Sequence, residues 1–239
     1  MTVAALLLLS VGASFVQRVS GFGFGIFIMT ALPYLMPSYG EATCLSGLLA
    51  LTTSTMIVIR YHRHLNWRHL LPILTTFIIV SFFAIMIVGR LNDGVLRKIL
   101  GAALIVISLY LIFINGKLTL PATLSVQCSM GTLSGIMGGL FGMQGPPAVL
   151  YFLAAEKTKE EYIALAQTYF LVGNMCMTVF RAHTGFLTPF VGIGCCAGLP
   201  GVLLGTWIGG KVFARISVSL LRKIVYLYMG VSGILALVL

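Results

Sequence analysis

The stretch Gly131-Thr-Leu-Ser-Gly-Ile-Met-Gly-Gly-Leu-Phe-Gly-Met-Gln-Gly-Pro-Pro147 lies inside a longer apolar run, from about residue 121 to residue 155. Its glycines and its two prolines are unfavourable in a regular helix. Relative to alanine, glycine costs about 1 kcal/mol and proline about 3 kcal/mol in a helix interior. In a soluble protein this stretch would indicate a loop. Here the run is long enough to enter a bilayer, so we expect a helix that is interrupted inside the membrane.

The composition indicates an all-α polytopic membrane protein. Of the 239 residues, 59% are hydrophobic and 8% are charged, whereas a soluble domain carries about 25% charged residues. The apolar segments are continuous rather than alternating, which argues against an outer-membrane barrel. The basic residues behind the net charge of +10 fall between these segments, as they do in loops on the cytoplasmic side. We therefore predict a multi-pass protein of the cell (inner) membrane that contacts the lipid bilayer and binds no nucleic acid.

About eight apolar helical segments are predicted, and the first and fifth are long and interrupted by glycine. They cover residues 2–37, 41–59, 70–89, 96–114, 121–155, 162–180, 186–208 and 220–239. As one straight helix the first would be about 54 Å long, against a hydrocarbon core of about 30 Å. It must therefore break or turn, and the glycines between Gln17 and Gly25 mark the place.

Four pairs of short motifs recur in the same order in the two halves of the chain. The pairs are Ser20-Gly21 with Ser134-Gly135, Arg60-Tyr-His62 with Arg181-Ala-His183, Gly89-Arg90 with Gly210-Lys211, and Leu96-Arg-Lys-Ile99 with Leu221-Arg-Lys-Ile224. We therefore predict two duplicated four-segment halves. The N-terminal repeat covers residues 1–116 and the C-terminal repeat residues 117–239, and together they form one membrane domain.

Two arrangements of the interrupted segments remain open. If each is one broken crossing, each half has four crossings and the halves run parallel. If each is a re-entrant hairpin, each half has three crossings and the halves are inverted. The distribution of lysine and arginine does not separate these arrangements, and under both it places the N- and C-termini outside.

The two glycine motifs resemble those of a known transporter family. Gly21-Phe-Gly-Phe-Gly25 and the Gly131–Pro147 motif look like the sulfite exporter TauE/SafE family, also called the sulfonate uptake permeases. The resemblance covers essentially the whole chain in length, segment count, duplication and both motifs. It implies a membrane protein that moves small organosulfur and other anions, often outward. Family members often carry three or more consecutive glycines at the first motif, where Phe22 and Phe24 alternate with glycine here.

The glycine clusters are the predicted binding site for a small anion. A broken helix frees backbone N–H groups at a positively polarised N-terminus, and glycine lets the backbone approach a ligand closely. The predicted substrate-binding residues of the two breaks are Gln17, Arg18, Ser20, Gly21, Gly23, Gly25, Gly138, Gly139, Gly142, Gln144, Gly145 and Pro146. The alternative is tight helix packing. Gly135 and Gly139 are four residues apart, as are Gly138 and Gly142, which is the spacing of close helix contacts.

Arg18 is the sharpest single candidate because it lies midway along the first segment, with no acidic residue nearby in sequence. An arginine at the bilayer centre costs about 2.5–3.5 kcal/mol on insertion scales, and such residues are functional by default. Its guanidinium also matches an oxyanion such as sulfite or sulfonate. The alternative is that the side chain reaches to a membrane interface.

Other candidates come from the second half. Gln167 and Asn174 are seven residues apart, hence on one helix face, and are further candidate substrate ligands, with interhelical hydrogen bonding as the alternative. Arg181 and His183 end the sixth segment and are predicted to gate or funnel the anion, unless they only fix the topology. The histidines of residues 62–69 have no carboxylate or cysteine beside them, so we predict no metal site and no cofactor.

The sequence therefore predicts a secondary transporter of small anions, and no enzyme. No carboxylate lies inside an apolar segment, although proton-driven transport usually employs one, or a histidine relay. Export of a monoanion from a negative interior is favoured by about 2.3 kcal/mol per 100 mV, so export or electrogenic uniport is expected. The alternatives are a proton-coupled uptake permease for a small organic acid and a passive anion channel. A homodimer is possible.

Overall fold

The structure is a computed structural model that describes residues 3–88, 90–114, 121, 123–156 and 158–212, together with single positions of the last segment. The described chain is helical between its turns, and no strand occurs in it. The helices are α1 (Val3–Ser20), α2 (Phe24–Met29), α3 (Leu32–Leu35), α4 (Tyr39–Tyr61), α5 (Trp67–Val88), α6 (Asp93–Ile114), α7 (Leu124–Phe141), α8 (Gly145–Ala155), α9 (Lys159–His183) and α10 (Pro189–Val212), with a 3-10 turn at His62–His64.

Helices long and apolar enough to cross a membrane dominate the described chain. Five meet this condition, at Val3–Ser20, Tyr39–His64, Trp67–Val88, Glu160–His183 and Pro189–Val212. Large apolar side chains cover their outer faces, with Phe83 60% and Ile193 65% exposed. Such a surface suits hydrocarbon rather than water. The predicted all-helical, multi-pass membrane fold is therefore confirmed at this level, while the predicted segment at 220–239 lies mostly outside the described residues.

Two helices begin at caps that the sequence provides. The Ser38 hydroxyl accepts a hydrogen bond from the Glu41 N–H at the start of α4. At the start of α9, Thr158 and Glu161 form a reciprocal capping box. Both caps satisfy N–H groups that have no partner within the helix, so they fix where each helix enters the bundle.

Helix α10 packs in parallel along α1, because glycines of α10 lie directly on the α1 backbone. Gly201 contacts the Leu7 carbonyl, and two turns later Gly209 contacts the Phe15 carbonyl. Glycine allows this approach because it carries no Cβ. The four-residue spacing of Gly201, Gly205 and Gly209 places all three on this packed face.

Helix α7 packs on α5 in the same parallel way, with the glycines now on α7. Gly131 contacts the Ile73 carbonyl, and Gly139 contacts the Ser81 carbonyl two turns on. Ser134-Gly135, which the sequence comparison paired with Ser20-Gly21, lies inside this packed face rather than at a break.

Contacts between the remaining helices fix two ends of the bundle. Helices α4 and α9 are antiparallel, because Arg181 near the end of α9 donates a hydrogen bond to the Thr43 carbonyl near the start of α4. We call the end where α4 begins the Tyr39 end. The opposite end, at residues 60–68, 156, 158–161 and 211–212, is the basic end, where His69 contacts Glu156 and Arg60 lines one cavity with Lys211.

Both interrupted segments are hairpins. Helices α1 and α4 both run parallel to α10. For α4, Leu49 packs on Gly198, and further along both helices Ile57 and Thr206 line one cavity. Because α1 and α4 start at the same end, the chain must turn back between Ser20 and Tyr39. Helices α7 and α9 likewise both run parallel to α5. For α9, the rings of Phe77 and Tyr169 lie 5.1 Å apart, and further along both helices those of Phe82 and Phe180 also lie 5.1 Å apart. The α7–α8 segment therefore also turns back, and the two hairpins enter from opposite ends.

Candidate functional site

Each hairpin turns at glycines with a backbone conformation that other residues rarely adopt. Helix α1 ends at Ser20, followed by Gly21 with φ 83° and Gly23 with φ 102°. Helix α7 ends at Gly142, with φ 69°. Glycine occupies this left-handed region without steric cost. The break in the fifth segment therefore lies at residues 142–144, seven residues beyond the Ser134-Gly135 pair.

The two hairpin tips touch each other. Gly25, in the first turn of α2, lies against the carbonyl oxygen of Gly142. Phe22 lies beside Gly145: a Cβ added at residue 145 would be 3.7 Å from the Phe22 Cβ. The sequence placed these motifs in separate halves of the chain, and the fold brings them into direct contact in the bundle interior.

A small cavity lies where the tips meet, and we call it the central cavity. Its volume is about 30 Å³, which leaves room for little more than one or two water molecules. The lining residues come from both tips and from the middle of α4 and α9, and they are Gln17, Gly23, Phe24, Gly25, Ile26, Ala50, Gly142, Met143, Gln144, Gly145, Phe170 and Asn174. Seven of the predicted site residues are among them: Gln17, Gly23, Gly25, Gly142, Gln144, Gly145 and Asn174.

Backbone donors line this cavity on the side of the first hairpin. The first N–H groups of a helix have no partner within it, and at α2 these belong to Phe24, Gly25 and Ile26, all of which line the cavity. Helix α8 offers fewer donors. Pro146 and Pro147 carry no N–H, and the Ala148 N–H donates to the Ser134 hydroxyl at 3.1 Å.

Buried amides bridge the hairpin tip to the helices behind it. The Gln17 side-chain amide donates to the Ser54 hydroxyl at 3.0 Å and to the Gln167 carbonyl oxygen at 3.1 Å. Gln167 in turn donates to the Gly21 carbonyl at 2.7 Å. We call this set the amide bridge. It links α1, α4 and α9 on the side of the central cavity that faces the basic end.

Gln144 brings a second amide to the cavity, from the tip of the second hairpin. Its nitrogen lies 3.5 Å from the Phe170 carbonyl. Its buried oxygen has no hydrogen-bond partner among the described residues and lies against Gly173. This unpaired oxygen is an acceptor, so it does not favour an anion; the donor that Gln144 could offer is its amide nitrogen, whose contact with the Phe170 carbonyl is long. The predicted role of Gln144 as a ligand stays a prediction, and its placement is compatible with it.

Arg181 is buried on the opposite side of the cavity, with 1% of its surface exposed. Its guanidinium donates to the carbonyls of Gly138, Gly139 and Thr43, at 2.9, 3.4 and 3.2 Å. No carboxylate of the described chain forms an ion pair with it. We call this arrangement the arginine clamp. It holds a cation at the carbonyl end of α7, where positive charge is favoured.

Arg18 does not line the central cavity. It is half-buried, and its stem lies on Gly209 near the end of α10. Its guanidinium reaches a second cavity at the basic end, together with Arg60 and Lys211. The geometry fits the alternative considered for Arg18, a side chain that reaches the membrane interface.

The other predicted residues lie around the cavity rather than in it. The Ser20 hydroxyl donates to the Val16 and Phe22 carbonyls and so secures the turn. Gly138 and Gly139 supply carbonyls to the arginine clamp, and their missing side chains let α7 pack against Phe77 and Ala84. The remaining predicted residues outside the cavity lining are Gly21, Pro146, Gln167 and His183, of which His183 lines a separate surface cavity.

Sequence reasoning missed Thr43 and Ser54. Ser54 lies on α4 in the run Thr52-Thr-Ser-Thr55, and a cluster of hydroxyl groups in an apolar segment is a signal that could have identified it. Thr43 lies near the start of the same helix and contributes its backbone carbonyl, for which the sequence carries no signal. Among the described residues, no group of three or more histidine, cysteine or carboxylate side chains could hold a metal ion.

Comparison with known proteins agrees with this architecture. The profile of the family described as "Sulfite exporter TauE/SafE" matches residues 6–236. A protein of Cupriavidus necator named "Probable sulfite/organosulfonate exporter TauE" is 26% identical over 229 residues, which cover 92% of this chain and 87% of that protein. No solved structure matches the chain. With a membrane-embedded helical bundle and a family match over nearly its whole length, the chain belongs to the sulfite exporter TauE/SafE family of membrane transporters.

Proposed function

We propose that this protein is a secondary transporter that exports small sulfur-containing oxyanions or organosulfonates, of the sulfite or sulfoacetate type. The anion binds in the central cavity, between the tips of the two hairpins. The observation that carries the proposal is the meeting of two glycine breaks, far apart in sequence, at one buried cavity lined by backbone and amide donors. Paired broken helices at an internal interface are where secondary transporters bind their substrates.

The charge around the cavity supports an anionic substrate. All five carboxylates of the chain lie at helix ends or in loops, and none lines the cavity. The nearest buried cation is in the arginine clamp, which shares the last turn of α7 with Gly142. A fixed positive charge in a medium of low dielectric favours a nearby anion much more than it would in water.

The amides and N–H groups complete a set of donors suited to an oxyanion. Gln144 and Asn174 bring side-chain amides, and the first turn of α2 brings backbone N–H groups. Sulfite and sulfonate groups accept several hydrogen bonds at once, and donors of this kind recognise such anions at helix termini. The predicted ligand roles of Gln17 and Gln167 pass to the amide bridge in this proposal, because both N–H bonds of Gln17 and the hydrogen bonds of Gln167 are made there.

The central cavity must widen before it can hold a substrate. A cavity of about 30 Å³ is too small for a sulfonate, so substrate binding requires the tips to separate. In this proposal the amide bridge is the barrier on the side of the basic end, and the arginine clamp is the barrier on the side of the Tyr39 end. Transport then requires the bridge and the clamp to open in turn, so that the cavity faces one side at a time.

The proposed architecture has two inverted halves, residues 1–116 and 117–239. Each half has one hairpin and three crossings, eight apolar segments in all. The helix packing supports this arrangement. Helix α1 of the first half packs on α10 of the second half, and α7 of the second half packs on α5 of the first. The left-handed glycines Gly21 and Gly142 are 121 positions apart, the same offset as Arg60 and Arg181. The homodimer stays a prediction.

The proposed orientation in the inner membrane has the basic end in the cytoplasm and both termini outside, according to the excess of lysine and arginine at that end. Single cysteines introduced in a variant without native cysteines test it. Asn92→Cys and Leu187→Cys should react with a membrane-impermeant maleimide in whole cells, whereas His64→Cys and Thr158→Cys should not. The reverse pattern would overturn the orientation without affecting the proposed site.

Sulfite flux from reconstituted vesicles tests the function. Vesicles loaded with sulfite are given an interior-negative potential with potassium and valinomycin, at equal pH on both sides, and vesicles without protein give the background. We expect efflux that rises with voltage, saturates with sulfite, and is reduced by competing sulfoacetate. A flux that follows a pH gradient and ignores voltage would instead indicate a proton-coupled permease. A flux that does not saturate would indicate a passive channel.

A further inference from the structure

A second cavity opens at the basic end, between the ends of α1, α4 and α10, and we call it the basic cavity. Its volume is about 340 Å³, roughly ten times that of the central cavity. Its lining residues are Arg18, Met56, Ile57, Arg60, Tyr61, Thr206, Trp207, Gly210 and Lys211. None of them lines the central cavity.

Three cations converge on the basic cavity, and none of the five carboxylates of the chain lines it. The Arg18 guanidinium lies above Gly210. A Cβ added at residue 210 would be 3.7 Å from the Arg18 Nε and 3.9 Å from its Nη2. The Lys211 ammonium lies 3.5 Å from the centre of the Trp207 ring. Arg60 comes from the end of α4. Three helices therefore present positive charge to one concave surface.

The wall of this cavity is apolar and faces the lipid. Met56 is 41% exposed and Trp207 58% exposed, on the outer faces of helices that cross the membrane. A tryptophan beside a lysine at the end of such a helix is typical of the boundary between hydrocarbon and head groups. The cavity thus offers cations at head-group level and an apolar surface directly below them.

The basic cavity is separated from the central cavity by buried side chains. Ile57 is 4% exposed, and the amide bridge formed by Gln17, Ser54 and Gln167 lies further in. No residue lines both cavities, so the basic cavity is a site distinct from the hairpin tips.

We propose that the basic cavity binds the phosphate group of an anionic phospholipid from the leaflet at the basic end. The phosphate lies among Arg18, Arg60 and Lys211, and an acyl chain follows Met56 and Trp207 toward the membrane interior. Basic pockets between membrane helices recognise anionic lipid head groups in this way. The volume and the apolar wall favour a lipid over a free oxyanion, which would use only the cations.

Native mass spectrometry of the purified protein with added phosphatidylglycerol or phosphatidylcholine tests this site. The double variant Arg60→Gln/Lys211→Gln is compared with Arg63→Gln/Arg68→Gln, which removes the same charge from the same end but outside the cavity. Each cation near an anionic lipid contributes roughly a fivefold change in affinity. We expect phosphatidylglycerol to bind the first variant roughly 25-fold more weakly, the control nearly as well as the wild type, and phosphatidylcholine weakly throughout. Equal losses in the two variants would overturn the proposal.

A second measurement leaves the cavity intact and does not depend on the folding of those variants. The chain has two tryptophans, so Trp67→Phe leaves Trp207 as the single fluorescent reporter. Titration with phosphatidylglycerol should shift its emission, and titration with phosphatidylcholine should not. Inorganic phosphate and sulfite at millimolar concentration should leave the phosphatidylglycerol titration unchanged. Displacement of the lipid by either ion would mean a site for small oxyanions and would contradict the lipid assignment, whatever the vesicle flux shows.

Discussion

Gly25 lies so close to the carbonyl oxygen of Gly142 that a methyl group at position 25 would overlap that oxygen. This contact joins the tips of two hairpins that enter the bundle from opposite ends. We predict that Gly25→Ala destabilises the protein by about 1–3 kcal/mol, the usual cost of overpacking, and abolishes sulfite flux because the tips are forced apart. Thermal unfolding in detergent and vesicle efflux measure the two effects.

Gly192→Ala is the matched control for that substitution. Gly192 lies in α10 and has no atom within 4 Å of the position its Cβ would occupy. Alanine is the better helix former by about 1 kcal/mol, so the variant should be as stable as the wild type or slightly more stable, with normal flux. If Gly25→Ala behaves like this control, the tips do not need their close contact.

The amide bridge should behave as one unit in a double-mutant cycle. Gln17 and Gln167 share a hydrogen bond and are both buried. Gln17→Ala leaves the Gln167 oxygen without its donor, and Gln167→Ala leaves the Gln17 amide nitrogen without that acceptor. Interhelical hydrogen bonds in membranes average about 0.6 kcal/mol and reach about 1.7 kcal/mol. We expect a coupling energy in the upper part of that range, measured by unfolding in mixed detergent.

Removal of the amide bridge should also change the conformational equilibrium. If the bridge closes the cavity toward the basic end, Gln17→Ala/Gln167→Ala should make a cysteine at Ala50, on the cavity wall, more reactive toward a maleimide added from that end. Ala50→Cys in the otherwise unchanged bundle is the reference. Strictly additive energies together with unchanged reactivity would mean that these amides only fill space.

Arg181 has two separable contributions, a positive charge and a fork of donors. We predict that Arg181→Met lowers both stability and sulfite affinity, with a stability loss of about 2–3 kcal/mol for its charged hydrogen bonds. Arg181→Lys keeps the charge but cannot bond α7 and α4 together, so it should lose stability while retaining most of the affinity. Thermal unfolding and binding of sulfite by calorimetry separate the two.

Arg97 provides a control for the arginine substitutions. Its guanidinium donates to the Pro33 carbonyl at 2.7 Å, so it also bonds backbone, but it lies away from the central cavity. Arg97→Met should lower stability modestly and leave sulfite affinity unchanged. Equal affinity in Arg181→Met and Arg181→Lys would argue that the charge of Arg181 does not act on the substrate.

The sequence predicted the helical membrane fold and both interruptions, but it placed the second one imperfectly. Gly135 and Gly142 both stand in the glycine motif. Gly135 is helical and packs against Val80, whereas Gly142 has φ 69° and ends α7. The absence of a side chain serves close packing in one case and an unusual backbone in the other. Composition alone cannot separate these uses.

Arg18 illustrates a second limit. In a segment of some 36 residues, position 18 is the midpoint, which in a single crossing would be the bilayer centre. In a hairpin the midpoint is the tip, and this tip reaches beyond the cavity toward Gly209 and Lys211 at the basic end. The number of apolar residues gives the length of a segment but not the direction in which the chain returns. That direction follows only from contacts such as those of α10 with α1.

The sign of the charge that the central cavity accepts can be tested by one isosteric change. Gln144→Glu keeps the shape of a side chain that lines the cavity and adds a negative charge there. Repulsion of an anion about 4 Å away amounts to about 4 kcal/mol at an effective dielectric constant of 20, so sulfite affinity should fall by a hundredfold or more.

Gln127→Glu is the matched control, because Gln127 is equally buried in α7 but donates to the Tyr151 hydroxyl, away from the cavity. It should fold less stably, since it buries a carboxyl group, and yet bind sulfite with nearly normal affinity. Calorimetric titration at fixed pH and salt compares the two, with thermal unfolding as the check on integrity. If both variants bind sulfite as the wild type does at a pH high enough to ionise a buried carboxyl group, the anion does not occupy the space between the tips.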